Sequence, residues 1–198
     1  MAESLEQPEP EGPVQLKEPQ VSALLAWLIP GLGHWYQGRK PKAVLFFVCI
    51  MGTFLYGLYL GSSSDPNIGW GRVVYFSWRE NYKRLPYLCQ IGVGLPAMPA
   101  LIQANRTFNN RKVWWNGFMA PPKMPPLPGV ERDANEGQPT SNELYLKLHS
   151  YFELGTVYTM VAGLLNVLAI YDAWCGPVLG EPAKKEDEDE AVEKTSAP

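Results

Sequence analysis

Pro19-Gln20-Val21-Ser22-Ala23-Leu24-Leu25-Ala26-Trp27-Leu28-Ile29-Pro30-Gly31-Leu32-Gly33-His34-Trp35-Tyr36-Gln37-Gly38, followed at once by Arg39-Lys40-Pro41-Lys42, is the stretch that decides how this chain folds. Its first 20 residues contain no Asp, Glu, Lys or Arg. That is the length a helix needs to cross a bilayer, ~17–25 predominantly apolar residues. Three more stretches are charge-free in the same way: residues 43–64, 85–105 and 154–171, of 22, 21 and 18 residues. Charged residues make up 19% of the chain, so four such gaps are not scatter. The expected fold is an all-α membrane protein of about four transmembrane helices, the third kinked or re-entrant, between disordered acidic tails.

Working outward, Pro30 removes one ladder hydrogen bond and clashes with the preceding turn, so segment one is expected to kink there. The freed carbonyl then needs a partner from another helix. Trp35 and Tyr36 suit a membrane–water interface. The basic link 38–42 is too short to recross the bilayer, so residues 21–61 form an antiparallel helical hairpin. Residues 62–84 read as a polar and aromatic connection with a turn at Asp65-Pro66-Asn67. Residues 85–105 contain Gly92, Gly94, Pro96 and Pro99, a kinked span or a re-entrant half-helix. Residues 106–140 form a proline-rich loop. In residues 141–176, Thr140-Ser141-Asn142-Glu143 has capping-box spacing, and an amphipathic turn runs on without interruption into segment four.

The mean hydropathy of −0.16 hides a segregation of charge. Residues 1–20 hold five acids and one base, and residues 181–198 hold seven acids and three bases; the body between has eight acids and thirteen bases. Residues 1–20 and 177–198 therefore read as solvated, disordered acidic tails. A basic body fits anionic lipid head groups. Nucleic acid does not fit, because the bases are dispersed among hydrophobic segments. Cys49, Cys89 and Cys175 show no CxxC spacing and imply neither a metal site nor a redox motif.

Few residues could carry chemistry. The glycines of Pro30-Gly31-Leu32-Gly33-His34-Trp35-Tyr36-Gln37-Gly38-Arg39 are not a phosphate cradle, since no strand precedes them. Pro30, Gly31, Gly33 and Gly38 fit a kinked helix end with close backbone packing. His34 is the titratable residue of the first two segments and fits either a backbone hydrogen bond or a proton shuttle. In segment four, Gly155, Thr159, Ala162, Gly163 and Asn166 line one small and polar face. Asn166 must bond across to another helix. Asp172, at the segment's end, is a boundary residue or a partner for an arginine, with an ion or proton site as the alternative.

The run from Ile29 to Arg39, the basic link and the second apolar helix resemble the two-transmembrane-helix domain family, which pairs two helices across a tight polar turn. Arg39-Lys40-Pro41-Lys42 stands where some animal members have an Asp-Arg-Phe-type turn. Two further runs, Gln90 to Ala100 and Gly155 to Ala173, look like a bacterial membrane family of unknown function that carries the same hairpin. That resemblance implies a multi-pass protein of the bacterial cytoplasmic membrane with no known activity.

The functional expectation is a structural or assembly protein that recruits partners, not an enzyme, with no catalytic residues, metal or cofactor. A small transporter or channel using the broken third segment is the alternative, and an intramembrane enzyme the remote one. Expected partners are the lipid bilayer and a membrane protein or a second copy of the chain, and no nucleic acid. Gly92, Pro96 and Pro99 complete the candidate positions, with those named above.

Overall fold

The computed structural model describes residues 18–65, 68–79, 82–123 and 134–176, with Tyr82 described in its backbone alone. The two tails over residues 1–17 and 177–198, the prolines at 125, 126 and 128, and Pro66-Asn67 of the expected turn lie outside the described residues. The rest is mostly helical: α1 (Pro19–Leu28), α2 (Leu32–Tyr36), α3 (Lys40–Leu60), α4 (Pro86–Gln90), α5 (Pro99–Phe108), α6 (Ser141–Leu148) and α7 (Ser150–Cys175). Short 3₁₀ turns occupy Ile91–Val93, Leu95–Ala97 and Trp115–Gly117. A two-residue antiparallel pair, Trp78–Arg79 with Tyr82–Lys83, qualifies the all-α expectation.

Among the described residues two helices, α3 and α7, are long and apolar enough to cross a membrane; four are not shown. The other two charge-free stretches break at their prolines. In segment one α1 ends at Leu28, and Ile29 is extended (φ −137°, ψ 125°). Gly31 takes φ +83°, a left-handed conformation that suits glycine. The chain does not merely kink there. Gly33 lies against the carbonyl of Ser22 and the side chain of Ala26, so closely that a Cβ at 33 would collide with both. Residues eleven apart in one straight helix would be ~16 Å apart. Segment one is therefore a folded-back pair, with Pro19 and Tyr36 at the same end.

Segment three also doubles back. Phe76 meets the ring of Tyr87 at 5.4 Å and that of Phe108 at 6.4 Å, so the start of α4 and the end of α5 share one neighbour. Tyr87 Oη donates to the Ala97 carbonyl at 2.9 Å, tying the two limbs together. The segment thus folds back on itself and does not run as one helix.

The antiparallel helices α3 and α7 meet at Gly57 and Gly155, where a Cβ on Gly57 would lie 2.9 Å from the Gly155 carbonyl oxygen. The inner face of α7 is Gly155, Thr156, Thr159, Ala162, Gly163, Asn166, Ala169 and Ala173, all buried. These residues are small, so neighbouring backbones approach closely. Larger side chains fill the core beyond: Ile50, Phe54 and Leu58 of α3 with Val73, Val74, Tyr87 and Phe152.

Two element boundaries differ from expectation. Helix α3 starts at Lys40, so the basic link shrinks to its first turn with Pro41 inside it, a position where proline's missing N–H costs nothing. Helices α6 and α7 are separate, because His149 takes φ +46° between them. The bend lets Leu144 and Leu148 of α6 join Phe152 in the core. The expected capping box is formed: Glu143 N–H donates to Thr140 Oγ1 at 3.3 Å and Thr140 N–H to Glu143 Oε2 at 2.7 Å.

Candidate functional site

The two doubled-back segments enter from opposite ends of α7 and meet at Asn166. Along the third segment, Arg84 Nη2 donates to Thr156 Oγ1 at 2.9 Å and Gln90 Nε2 to Thr159 Oγ1 at 2.8 Å. Gly92 then packs on Gly163, where a Cβ at 92 would lie 2.6 Å from the Gly163 carbonyl oxygen. Gly163 in turn lies against the Cys89 carbonyl with no room for a Cβ. From the other end comes α1, and Gly94 (φ +85°) touches the Trp27 carbonyl.

At this point Asn166 Nδ2 donates to two carbonyls, Ala26 at 3.1 Å and Gly92 at 2.8 Å. Both acceptors are set by sequence. In a continuing helix the carbonyl of residue 26 would accept from the N–H of residue 30, and that of 92 from the N–H of 96. Positions 30 and 96 are Pro30 and Pro96, and proline has no N–H. One fully buried amide thus satisfies both proline-freed carbonyls. Asn166 Oδ1 has no hydrogen-bond partner. Pro99 sits at the first position of α5, and Gly38 (φ +84°) ends the α2 turn facing open space.

Six residues further along α7, about 9 Å by helical rise, is a second polar node. The Asp172 carboxylate has His34 Nε2 at 2.7 Å and Arg39 Nη2 at 3.1 Å on Oδ2, and Lys42 Nζ at 2.8 Å on Oδ1. Gln37 Nε2 donates to the Ala173 carbonyl at 2.7 Å, and Gln37 Oε1 accepts from Arg39 Nη1 at 3.4 Å. The short α2 places His34, the α2–α3 turn places Gln37 and Arg39, and the first turn of α3 places Lys42. His34 is fully buried, its ring 4.8 Å from Phe46, and its Nδ1 has no partner. The His34 partner is thus a carboxylate, not the backbone. Both carboxylate oxygens of Asp172 are taken by donors, which makes it a latch between segment one, α3 and α7. His34 and Asp172 come together; Asn166 does not join them.

Sequence reading missed several polar clamps at the other end. Arg72 is buried, its Nε bonded to the Ile68 carbonyl and its Nη1 to that of Ala120 at 3.3 Å. Burial pushes its guanidinium down to about 10, still protonated at neutral pH. No periodic pattern marks such a loop residue. Gln103 donates to the carbonyls of Trp114 at 2.7 Å and Phe118 at 2.9 Å and accepts from the Trp114 N–H at 3.0 Å. A glutamine inside a charge-free stretch was a usable signal for that role. Among the described residues no group of three His, Cys, Asp or Glu could hold a metal.

Comparison with known proteins found no match among curated proteins and none among solved structures. A family model, by contrast, matches residues 21–186, which runs from the third residue of α1 through α7 and takes in both polar nodes. The chain belongs to the family of unknown function DUF6677.

Proposed function

We propose that this chain is a multi-pass integral protein of the bacterial cytoplasmic membrane with a structural or assembly role. In this reading α3 and α7 span the bilayer, and the two doubled-back segments are re-entrant from opposite faces. The observation that carries it is the outer surface of the two long helices. Leu45, Val48, Leu55 and Tyr59 of α3 and Leu154, Val161, Leu164 and Leu168 of α7 are all exposed, while the small and polar residues face inward. In water that arrangement would leave an apolar surface far beyond the few hundred Å² usual for a monomer. In lipid it is the expected sense.

The nodes support scaffolding over catalysis. Asp172, the one acid beside His34 among the described residues, has both oxygens engaged, so it is a poor base. The Asn166 node is filled by backbone contacts at Gly92, Gly94 and Gly163. A second reading, transport, has one favouring observation: two discontinuous segments meeting near the middle of a spanning helix, as in many transporters. Partners in the first reading are the bilayer and a membrane protein or a second copy of the chain.

Two experiments test the membrane arrangement. Alkaline carbonate should leave the protein in the membrane pellet; release into the supernatant refutes the reading. In a background with Cys49, Cys89 and Cys175 replaced, single cysteines at Ser63, Ser141 and Ser196 are probed with an impermeant thiol reagent. With the Arg39–Lys42 turn cytoplasmic by the positive-inside rule, Ser63 and Ser141 label together from outside and Ser196 is protected. Four spans would instead pair Ser63 with Ser196.

A further inference from the structure

An apolar cleft of about 240 Å³ lies between the folded-back segment and α3, with Ile29, Gly31 and Trp35 on one wall and Ala43, Val44 and Phe47 on the other. It exists because segment one turns at Ile29–Gly31 instead of continuing as a helix. Gly31 meets the backbone of Ala43 and Phe47 at the turn, so the two walls are in backbone contact there.

Helical spacing puts Lys40 on the face of α3 that walls this cleft, one turn before Ala43. Lys40, Ala43, Val44 and Phe47 stand at i, i+3, i+4 and i+7, one face of α3. Lys40 is exposed and forms no ion pair with any acid among the described residues. Neighbouring Arg39 and Lys42 share the single carboxylate of Asp172, so this rim of α3 is net positive. Trp35, half exposed on the opposite wall, is the side-chain type that settles at head-group level. An apolar slot, and beyond its α3 wall an exposed ammonium with no acid partner among the described residues, match the two ends of one molecule.

We infer that the cleft is a binding site for an anionic phospholipid of the surrounding bilayer, one acyl chain lying between segment one and α3 and the phosphate on Lys40. This rests on the membrane reading above. The bound chain fills the groove that the turn leaves open and ties the re-entrant segment to the spanning helix. Charge complementarity favours this occupant over a zwitterionic lipid, and a volume of about 240 Å³ favours a single chain over a helix of a second copy.

The test uses the full-length protein in dodecyl maltoside, with dioleoyl phosphatidylglycerol and dioleoyl phosphatidylcholine as probes, by native mass spectrometry and by thermal shift. The parent should retain phosphatidylglycerol in preference and be stabilised by it. Lys40→Gln should weaken that retention about fivefold, the effect of one Lys near an anionic surface, and leave phosphatidylcholine unchanged. Val44→Trp, which fills the slot from an exposed position, should abolish stabilisation by phosphatidylglycerol; Leu55→Trp, elsewhere on the exposed surface of α3, should not. Equal retention of both lipids by the parent overturns the proposal, as does a preference that survives both cleft variants. Dimerisation that lipid does not displace and Val44→Trp abolishes would make the occupant a second copy, also overturning it. A protein that stays in the carbonate pellet yet shows no lipid preference refutes this site alone; one released by carbonate refutes the membrane reading on which it rests.

Discussion

Replacing Asn166 by leucine tests the central joint of the fold. Leucine keeps the Cγ branch and the same number of side-chain heavy atoms, and although its methyls are bulkier than the amide, the hydrogen bonds are the main change. Asn166 Nδ2 serves the carbonyls of Ala26 and Gly92 at 3.1 and 2.8 Å. Neither carbonyl can regain a ladder partner, because Pro30 and Pro96 have no N–H to offer. A buried carbonyl left unmade costs ~1–3 kcal/mol, while measured interhelical bonds in membranes average nearer 0.6. Two carbonyls at a fully buried site place the loss at about 3 kcal/mol. At ~2–4 °C per kcal/mol for a chain of this size, the apparent Tm in detergent should fall by about 6–12 °C. The readout is the monodisperse size-exclusion peak remaining after heating. Asn166→Asp is the companion variant, since a carboxylate offers the two carbonyls no donor and must also be buried; it should be worse than leucine. If the leucine variant melts within 2 °C of the parent and aspartate is no worse, the joint does not depend on the proline-freed carbonyls and the reasoning fails.

Asp172→Asn leaves His34, Arg39 and Lys42 facing a neutral amide at a half-buried site. It should cost about 2–3 kcal/mol, whereas Lys42→Met, removing the most exposed partner, should cost less than about 1 kcal/mol; both are read by the same melting assay. Gly163→Ala places a Cβ into the Cys89 carbonyl, so α4 and α7 must part at about 2–3 kcal/mol, and faster hydrogen exchange should appear in 86–93 and 160–167. The Glu143 carboxylate is held below its ordinary value by the backbone N–H and hydroxyl of Thr140. Its contribution to the α6 cap is therefore complete above the unfolded pKa and is lost as pH falls through the lower folded one. Amide exchange in 141–148 should quicken in that window, and Glu143→Gln, which keeps the box without the titration, should flatten the response.

Much of the helix plan can be read from residue spacing. The charge-free stretches coincide with the helical ones, and Thr140 with Glu143 marks the start of α6. What spacing does not reveal is whether a proline-broken segment kinks and continues or turns back. Pro30 is compatible with both. The choice is made by Gly33 packing on Ser22 and Ala26, and by His34 and Asp172, 138 residues apart, closing the latch. Those contacts are long-range, and local preference has no access to them. The break at His149 is similar: nothing in the residue type demands φ +46°, but bringing Leu144 and Leu148 beside Phe152 does. Arg72, buried in a loop and satisfied by carbonyls, lies outside any periodic signal.

The Asn166 joint shows where sequence can be pressed further. Each proline in an apolar segment names the carbonyl it orphans, four residues earlier. Pro30 names Ala26 and Pro96 names Gly92. Pro99 likewise names Leu95, whose carbonyl takes the nearby Met98 N–H, but the buried carbonyls of Ala26 and Gly92 need a donor from elsewhere in the chain. Polar side chains are scarce in the charge-free stretches, and Gln90 and Gln103 are engaged at one end of the molecule with Thr159 and with Trp114 and Phe118. Asn166 serves both orphans because Gly163, one turn earlier, lets the third segment approach α7 closely enough for its amide to reach Gly92. The glycine sets the distance, the prolines create the demand, and the asparagine meets it. That coupling makes a specific expectation: Gly163→Ala and Asn166→Leu should be less than additive in combination, because the first already draws Gly92 away from the amide that the second removes.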